Sequence, residues 1–365
     1  MEISLCMIVK NEEGVLARCL DCADRFADEI VVVDTGSTDR TKEIARQYTD
    51  HVLDFQWCDD FSAARNYAFA QATKDYILWL DADDIVDDAA IDKLNALKHI
   101  LPPEVDAVMM KYHTGFDEAG AVTMSYFRER MVRRDKNFRW QERVHEHIAI
   151  SGNVLECDIA ITHGHKERTA AHSTRNLNIY RQMEAENAPF SSRALFYFAR
   201  ELRTHGYRDE AETTYNRFLQ RPDGWLEDRL RARNDLADLL LLDGRDQQAL
   251  ELLLTGFAEA IPRPEACCGI GRIFLKLERP KEAIFWYEQA LTAPLPEGWG
   301  FTYDDYGGLI PHLQLCMLHY RMGDTARSLH HHREAKALKP RDPAVEFNET
   351  FFVENGLIAA EPISV

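Results

Sequence analysis

Short apolar segments alternate with helical patterns over residues 3–84, and this alternation is the strongest constraint on the fold. The segments predicted to be strands are 3–9, 30–33, 52–55 and 76–80. The second is β-branched throughout, as is typical of a strand buried on both faces. Alternating strands and helices favour a mostly parallel sheet with helices on both sides. The sequence therefore predicts a Rossmann-like α/β domain.

Acidic and amide residues follow these predicted strands: Asn11 and Glu12, then Asp34, then Asp59 and Asp60, then Asp81 and Asp83. Ligands bind at the carboxyl ends of the strands in such sheets. Asp81 and Asp83 are two residues apart and can point the same way, which suits Mg²⁺ or Mn²⁺ and the diphosphate that such an ion often binds. An isolated acidic turn would more often be a solvated helix cap. Convergence at one sheet edge favours the metal site.

The sequence has no G-x-x-x-x-G-K-[ST] loop and no G-x-G-x-x-G turn. Phosphate charge would instead be balanced by a cation at Asp81 and Asp83. Asp34 could accept hydrogen bonds from a nucleobase or ribose, or it could cap the turn at residues 36–39.

Residues 3–84 resemble an inverting family 2 glycosyltransferase with the GT-A fold. The matching motifs are MIVKNEE at 7–13, VDTGSTD at 33–39, FSAARN at 61–66 and LDADD at 80–84, in the family's order and spacing. The resemblance implies that Asp83 ligates the metal, that Asp81 lies beside the ribose or metal, and that Asp34 contacts uracil or ribose. It also assigns residues to the nucleotide pocket and base site: Lys10, Asn11, Glu12, Arg65 and Asn66.

Val144-His145-Glu146 is similar to the acceptor-side motif of non-processive members of the family. Inverting transfer needs a base for the acceptor's proton. Glu146 is the candidate and His145 the alternative, whereas an isolated pair of this kind would more often form salt bridges. Lys136 replaces the Gln of the processive Gln-x-x-Arg-Trp motif, which favours transfer of a single sugar.

A later predicted strand, 159–165, ends in two histidines. The family often supplies a late His as a metal ligand, and imidazole suits Mn²⁺ better than Mg²⁺. His163 is the first choice and His165 the second, although a lone His at a strand end is more often plain surface.

From about residue 191 the pattern changes to amphipathic helices with an internal repeat. Equivalent positions are Ala211, Ala249, Ala283 and Ser328. The spacing resembles tetratricopeptide repeats. We therefore predict a GT-A domain at 1–185, tetratricopeptide-like repeats at 190–345 and a tail at 346–365. The repeats could bind an extended peptide, form a homodimer or brace the acceptor side. The run His330-His331-His332 suggests metal binding, but only some of these can face one way, so a solvated helix face is favoured.

Composition and net charge limit the kinds of binding partner and the cellular location that we expect. The net charge of −18 disfavours a protein held on nucleic acid or an anionic membrane by its overall field. No apolar run reaches the length of a membrane span, and the first residues lack signal-peptide features. We therefore predict a cytoplasmic protein whose eight cysteines are reduced.

The predicted function is metal-dependent, inverting, non-processive transfer of one sugar from a UDP-sugar, with UDP-glucose as the first candidate. The architecture resembles bacterial enzymes that glycosylate a Cys or Ser of a secreted antimicrobial peptide. Alternative acceptors are an envelope glycan and a modified DNA base, the latter disfavoured by the acidity. A non-catalytic repeat scaffold is the alternative of another class. The presence of Asp34, Asp81, Asp83 and Glu146 argues against it.

Overall fold

The structure is a computed structural model that describes residues 1–117, 120, 122–164, 170–294, 299–300 and 303–359, without the side chains of 170–173. It divides into two compact units, one of residues 1–115 and 125–214, the other of residues 116–124 and 215–365. The domain limits predicted from the sequence, at 185 and 190, stay predictions.

The strands of the first unit are β1 (Ile3–Val9), β2 (Glu29–Asp34), β3 (Val52–Asp54), β4 (Tyr76–Trp79), β5 (Asp84–Ile85), β6 (Ala107–Phe116), β7 (Val122–Arg133), β8 (Trp140–Gln141), β9 (His147–Ile148) and β10 (Val154–His163). Eight of them form one sheet of order β3-β2-β1-β4-β7-β6-β10-β5. Strands β1 to β4 pair in parallel, whereas β4 with β7 and β5 with β10 are antiparallel. Strands β8 and β9 form a separate antiparallel pair. The predicted mostly parallel α/β domain is confirmed.

The α-helices that lie between these strands, in the predicted alternation, are α1 (Leu16–Ala23), α2 (Thr41–Ala45), α3 (Phe61–Phe69) and α4 (Asp88–Ile100). Helices α5 (Ala170–Ala185) and α6 (Ser192–Thr204) follow β10. Helix α2 ends at Ala45, where the chain turns through a bond from Tyr48 N to Ala45 O. Helix α3 begins on a true N-cap, since the Asp60 carboxylate accepts from Ala63 N.

The sheet is buried on both faces. Along β2, Val32 packs into one hydrophobic cluster while Val31 and Val33 pack into the other. Side chains alternate along a strand, so a run of apolar residues can supply both cores at once. This explains why the β-branched segment has no polar interruption.

The second unit is helical. Its helices are the end of α7 (Arg208–Leu219), then α8 (Leu226–Leu242), α9 (Asp246–Thr255), α10 (Pro264–Lys276), α11 (Pro280–Thr292), α12 (Leu309–Arg321), α13 (Thr325–Leu338) and α14 (Pro343–Glu354). Neighbours pack in pairs: α8 with α9, α10 with α11, and α12 with α13. The predicted helical repeat is confirmed.

Each turn within a helix pair contains a residue with positive φ. Gly206, Gly244 and Gly323 have φ of 82°, 74° and 81°, and Glu278 takes the equivalent place with φ of 56°. A left-handed residue ends one helix and lets the next fold back on it, which is a common use of glycine.

Among the residues that the structure describes, no helix is long and apolar enough to cross a bilayer.

Two glycines of α10 test the packing of one repeat. A Cβ on Gly271 would lie 3.0 Å from two ring atoms of the buried Tyr287, whereas one on Gly269 would meet only the tip of Leu253. We expect Gly271→Ala to lower the free energy of unfolding by about 1 kcal/mol, because the ring has no room to move. Gly269→Ala should be neutral or stabilising, since alanine favours helix. Urea unfolding measures both, and equal effects would contradict this packing.

Candidate functional site

The acidic turn after β4 is organised around the fully buried Asp84. Tyr112 donates its hydroxyl to Asp84 Oδ1 at 2.9 Å. Arg130 Nη1 and the backbone N of Asp81 donate to Asp84 Oδ2 at 2.8 and 3.0 Å. Asp84 therefore serves as the internal anchor of the turn.

Arg130 is as deeply buried as its partner. Its guanidinium lies 3.9 Å from the ring centroid of Trp79 and 4.2 Å from that of Tyr112. Both aromatic faces stabilise a cation that water does not reach. Burial raises the pKa of Asp84, although Arg130 opposes the shift.

Asp83, Asp84 and His163 each offer a ligand atom within 4.8 Å of the others. They meet because β5 pairs with β10, which sets His163 opposite Asp84. His163 Nδ1 lies 3.6 Å from Asp83 Oδ1 and 2.9 Å from the Tyr112 hydroxyl. Because Tyr112 donates its hydroxyl hydrogen to Asp84, its oxygen can accept from His163 Nδ1, which requires the tautomer with the proton on Nδ1. The Nε2 lone pair is then available for a metal ion.

Asp83 is poised for a cation. Burial raises its pKa to about 6, and the charges of Asp81 and Asp84 add to the shift while His163 opposes it. Crowded carboxylates of this kind become fully ionised when a metal ion lies among them. The residues present therefore fit a divalent cation, and the assignment of Asp83 and His163 as its ligands stays a prediction.

The backbone of the turn is fixed as well. Arg18 Nη2 and Gly164 N donate to the carbonyl oxygen of Asp83 at 2.9 and 3.0 Å. A Cβ on Gly164 would lie 2.2 Å from that oxygen. Only glycine lets β10 approach the turn this closely.

Arg65 joins the acidic turn to the acceptor-side motif. Its Nη2 donates to Asp81 Oδ1 and its Nε to Glu146 Oε1, both at 2.7 Å. The guanidinium lies 4.9 Å from the Trp79 ring and 4.7 Å from the Trp140 ring. Burial would raise the pKa of Asp81, but Arg65 outweighs it and the pKa falls to about 2. Asp81 is therefore an ionised partner of Arg65.

Glu146 and His145 have different surroundings. Arg128 Nη2 donates to the backbone oxygen of Glu146 at 3.2 Å, which steadies the loop. The His145 ring stacks on Tyr197 at 4.2 Å, and its Nε2 lies 3.0 Å from Glu201 Oε1. Burial lowers the pKa of His145 despite Glu201. These contacts hold His145 against α6, whereas the Glu146 side chain faces Arg65.

The loop after β2 presents one unpaired acceptor. Asp34 Oδ1 accepts from Gly36 N and Ser37 N at 2.9 and 2.8 Å, which makes it a turn cap. Asp34 Oδ2 is buried and has no hydrogen-bond partner among the described residues. A buried carboxylate oxygen without a donor is costly, so it fits a donor from a ligand. Asp34 thus caps the turn through Oδ1, and its contact with a nucleotide through Oδ2 stays a prediction.

Three other residues predicted for the nucleotide site, Lys10, Asn11 and Glu12, follow β1 directly in the sequence. Their contacts differ from one another. Asn11 Oδ1 accepts from Thr38 N at 2.8 Å, and Glu12 N donates to Thr41 Oγ1 at 2.7 Å, so both join β1 to the loop after β2. Lys10 is exposed.

The Asn66 side chain bonds to the backbone of Trp140 through both of its amide atoms, each at 3.0 Å. This fixes the start of β8. Its predicted place in the nucleotide pocket stays a prediction.

The structure brings together five of the predicted residues: Arg65, Asp81, Asp83, Glu146 and His163. His165 lies outside the described residues. Sequence reasoning missed Asp84, Tyr112 and Arg130. Asp84 was visible as the last carboxylate of LDADD, but nothing local to the sequence paired it with Arg130.

Two parts of the chain match known protein families. Residues 4–160 match the family described as Glycosyl transferase family 2, and residues 264–294 match a Tetratricopeptide repeat. The second match covers α10 and α11, one of the helix pairs.

Individual relatives match parts of the chain. A TPR repeat-containing protein of Synechococcus elongatus is 40% identical over 147 residues, covering 40% of this chain and 35% of that protein. Glycosyltransferase SunS of Bacillus phage SPbeta is 27% identical, covering 56% of this chain and 50% of that protein. Lipopolysaccharide core biosynthesis glycosyltransferase LpsC of Rhizobium meliloti is 27% identical, covering 42% and 59%. The chain thus spans about a third to three fifths of the length of these relatives.

Because other carboxylates crowd Asp83, we expect Asp83→Asn to raise the stability of protein free of divalent metal by an amount that depends on pH. The folded pKa, about 6, is above the ordinary value of 3.8, so folding favours the protonated form. The resulting penalty is absent at low pH, grows between about pH 4 and 6, and is complete above, reaching about 3 kcal/mol at most. Asparagine mimics the protonated acid without the penalty. Thermal unfolding in EDTA should show the variant gaining stability over the parent from pH 5 to 7.5; a variant less stable at pH 7.5 would contradict the crowding.

Proposed function

From the family 2 glycosyltransferase domain that this chain carries at residues 4–160, followed by tetratricopeptide repeats, we propose a metal-dependent, inverting, non-processive transferase that uses a UDP-sugar. UDP-glucose is the first candidate donor. The observation that carries this proposal is that one side chain, Arg65, donates both to Asp81 in the acidic turn and to the candidate base, Glu146.

In this proposal Asp83 and His163 hold Mn²⁺ or Mg²⁺. The ion would balance the charge of the nucleotide diphosphate. Asp83 is supported by its raised pKa, and His163 by the network that leaves Nε2 available. Asp81, already paired with Arg65, would orient the ribose side or add to the field around the metal.

Asp34 would recognise the nucleotide through its buried, unpaired Oδ2. A ribose hydroxyl or a uracil N–H would supply the missing donor. The loop stays in place during binding because Oδ1 is already occupied by Gly36 and Ser37.

Glu146 would act as general base. Its carboxylate takes the proton from the acceptor's hydroxyl or thiol, the acceptor atom bonds to the anomeric carbon, and the bond to the diphosphate breaks. Attack opposite the leaving group inverts the anomeric centre. His145, held by Tyr197 and Glu201, would position the loop rather than accept this proton.

For the acceptor we propose a Cys or Ser side chain of a peptide, presented with help from the helical repeats. Repeats of this class bind extended peptides in their grooves. A saccharide of the cell envelope is the second candidate, and the likeness to LpsC, a lipopolysaccharide core enzyme by name, favours it.

Asp34→Asn tests the donor site. Asparagine can keep Oδ1 for the turn while replacing the unpaired acceptor Oδ2 with an amide donor. We expect binding of UDP with Mn²⁺ to weaken at least tenfold, about 1.4 kcal/mol. Calorimetric titration measures it, with Asp50→Asn, at an exposed aspartate outside the predicted site, as the matched control. Unchanged affinity would refute a nucleotide contact at Asp34.

The proposed activity has a direct test. A panel of UDP-sugars with Mn²⁺ and no acceptor should release UDP for at least one sugar. Absence of release for every sugar, together with no thermal shift on adding UDP and Mn²⁺, would refute the nucleotide-sugar proposal. Peptide and glycan acceptors, read by mass spectrometry, distinguish the two acceptor classes.

Glu146→Gln tests the base. Glutamine can still accept from Arg65 but cannot take the acceptor's proton at neutral pH. We expect transfer to fall at least about 100-fold while UDP binding is unchanged. His145→Gln should cost less than about tenfold, because it disturbs only the loop. The opposite ranking would move the base to His145.

A further inference from the structure

We propose that His312 and His331, on the paired helices α12 and α13, form a binding site for a divalent transition-metal ion such as Zn²⁺. The site lies in the helical unit and uses none of the residues assigned to sugar transfer. Its basis is a cluster of imidazoles that the packing of α12 against α13 creates.

The central distance is that between two ring nitrogens. His312 Nδ1 and His331 Nδ1 are 3.0 Å apart. Zinc binds imidazole nitrogen at about 2.0–2.1 Å, so two such ligands at a tetrahedral angle are roughly 3.3 Å apart. A shift of a few tenths of an ångström would therefore bring both nitrogens into the coordination shell.

Burial keeps these ligands in the form that binds metal. His331 is 8% exposed, and burial, with His312 and His330 adding, lowers its pKa to about 4. Burial also lowers the pKa of His312. Neutral imidazole is the ligating form, so neither residue must lose a proton at pH 7.

The sequence-based expectation of a solvated face was wrong for two residues of the run. His331 and His332 are buried, since α12 and α14 pack over them, and only His330 is exposed. His332 is engaged elsewhere, with its Nε2 2.6 Å from Glu349 Oε2.

Further ligands lie at the edge of the pair. His330, whose ring centroid is 5.1 Å from that of His331, faces Glu334 at 3.8 Å on the exposed side of α13. Either side chain could rotate to complete the shell together with water. Tetrahedral zinc sites commonly combine imidazole, carboxylate and water in this way.

A second observation also indicates an unfilled site. His319, two turns after His312 on the same face of α12, stacks on His331 at 5.5 Å with rings nearly parallel. It is 3% exposed, and its Nε2 has no hydrogen-bond partner among the described residues. The groups facing this cluster include Arg327, Asp324 and Glu288. Buried imidazole nitrogens without partners are uncommon unless a ligand or ion uses them.

Metal binding here needs no net proton release. In the metal-free pair one Nδ1–H donates to the other Nδ1. On binding, that proton moves to Nε2 of the same ring, so both Nδ1 lone pairs face the ion and each imidazole stays neutral.

The test is zinc titration of the untagged full chain, carrying Asp83→Asn and His163→Asn so that the acidic turn does not contribute. We expect Co²⁺ to bind with tetrahedral absorption bands, and one equivalent of Zn²⁺ to displace it and abolish those bands. Introducing His312→Asn into this background should weaken zinc binding at least tenfold, because it removes one of the two imidazole ligands. His312 is partly exposed, so the substitution disturbs the core little. His51→Asn, an exposed histidine in the first unit, is the matched control and should bind as the parent does.

Two further variants keep the proposal falsifiable. His331→Asn should also weaken binding, and circular dichroism verifies that the helices persist. His330→Asn and Glu334→Gln should each reduce affinity by a smaller factor. A parent that binds less than one equivalent, or a His312→Asn variant that binds as tightly as the parent, would overturn the site and leave a hydrogen-bonded histidine pair.

Discussion

The buried ion pair of Arg130 with Asp84 is the contact on which the geometry of the acidic turn depends. Two charges removed from water cost several kcal/mol each unless every group finds a partner. Asp84 does so through Tyr112, Arg130 and the backbone of Asp81. Arg130 relies on aromatic faces as well, above all Trp79. The pair thereby ties β4, β6 and β7 to one turn, and breaking it by removing one partner would leave a buried charge uncompensated.

Hydrogen bonds inside the core fix Asp84 in place, and this restricts the position of the neighbouring Asp83. Its carboxylate stays beside His163, and its carbonyl is fixed by Arg18 and Gly164. The fold thus imposes an unfavourable arrangement of charge in the metal-free state. Burial and the neighbouring carboxylates raise the pKa of Asp83 in this arrangement, and a bound cation would favour its ionised form. This arrangement lowers the stability of the metal-free protein, but it organises the site before a ligand binds.

Local pattern predicts much of this fold, and long-range pairing explains what it misses. The apolar run at 3–9 predicts β1 because every position is suited to a sheet covered on both faces. The role of Asp84 depends on the register of β5 with β10, which no local pattern shows. Arg130 stands among several arginines, and only tertiary packing selects it. Likewise, His331 belongs to a polar run yet is buried, since the partner helix covers it.

Arg65 gives a physical reason for the proposed donor and acceptor sides to act together. One guanidinium, enclosed by Trp79 and Trp140, neutralises both Asp81 and Glu146. In the proposed transfer, Glu146 loses its negative charge as it takes the acceptor's proton. At the same stage, negative charge develops on the departing diphosphate next to the acidic turn. Since electrostatic interactions are strong in a desolvated site, a cation fixed between the two positions stabilises this shift of charge without moving.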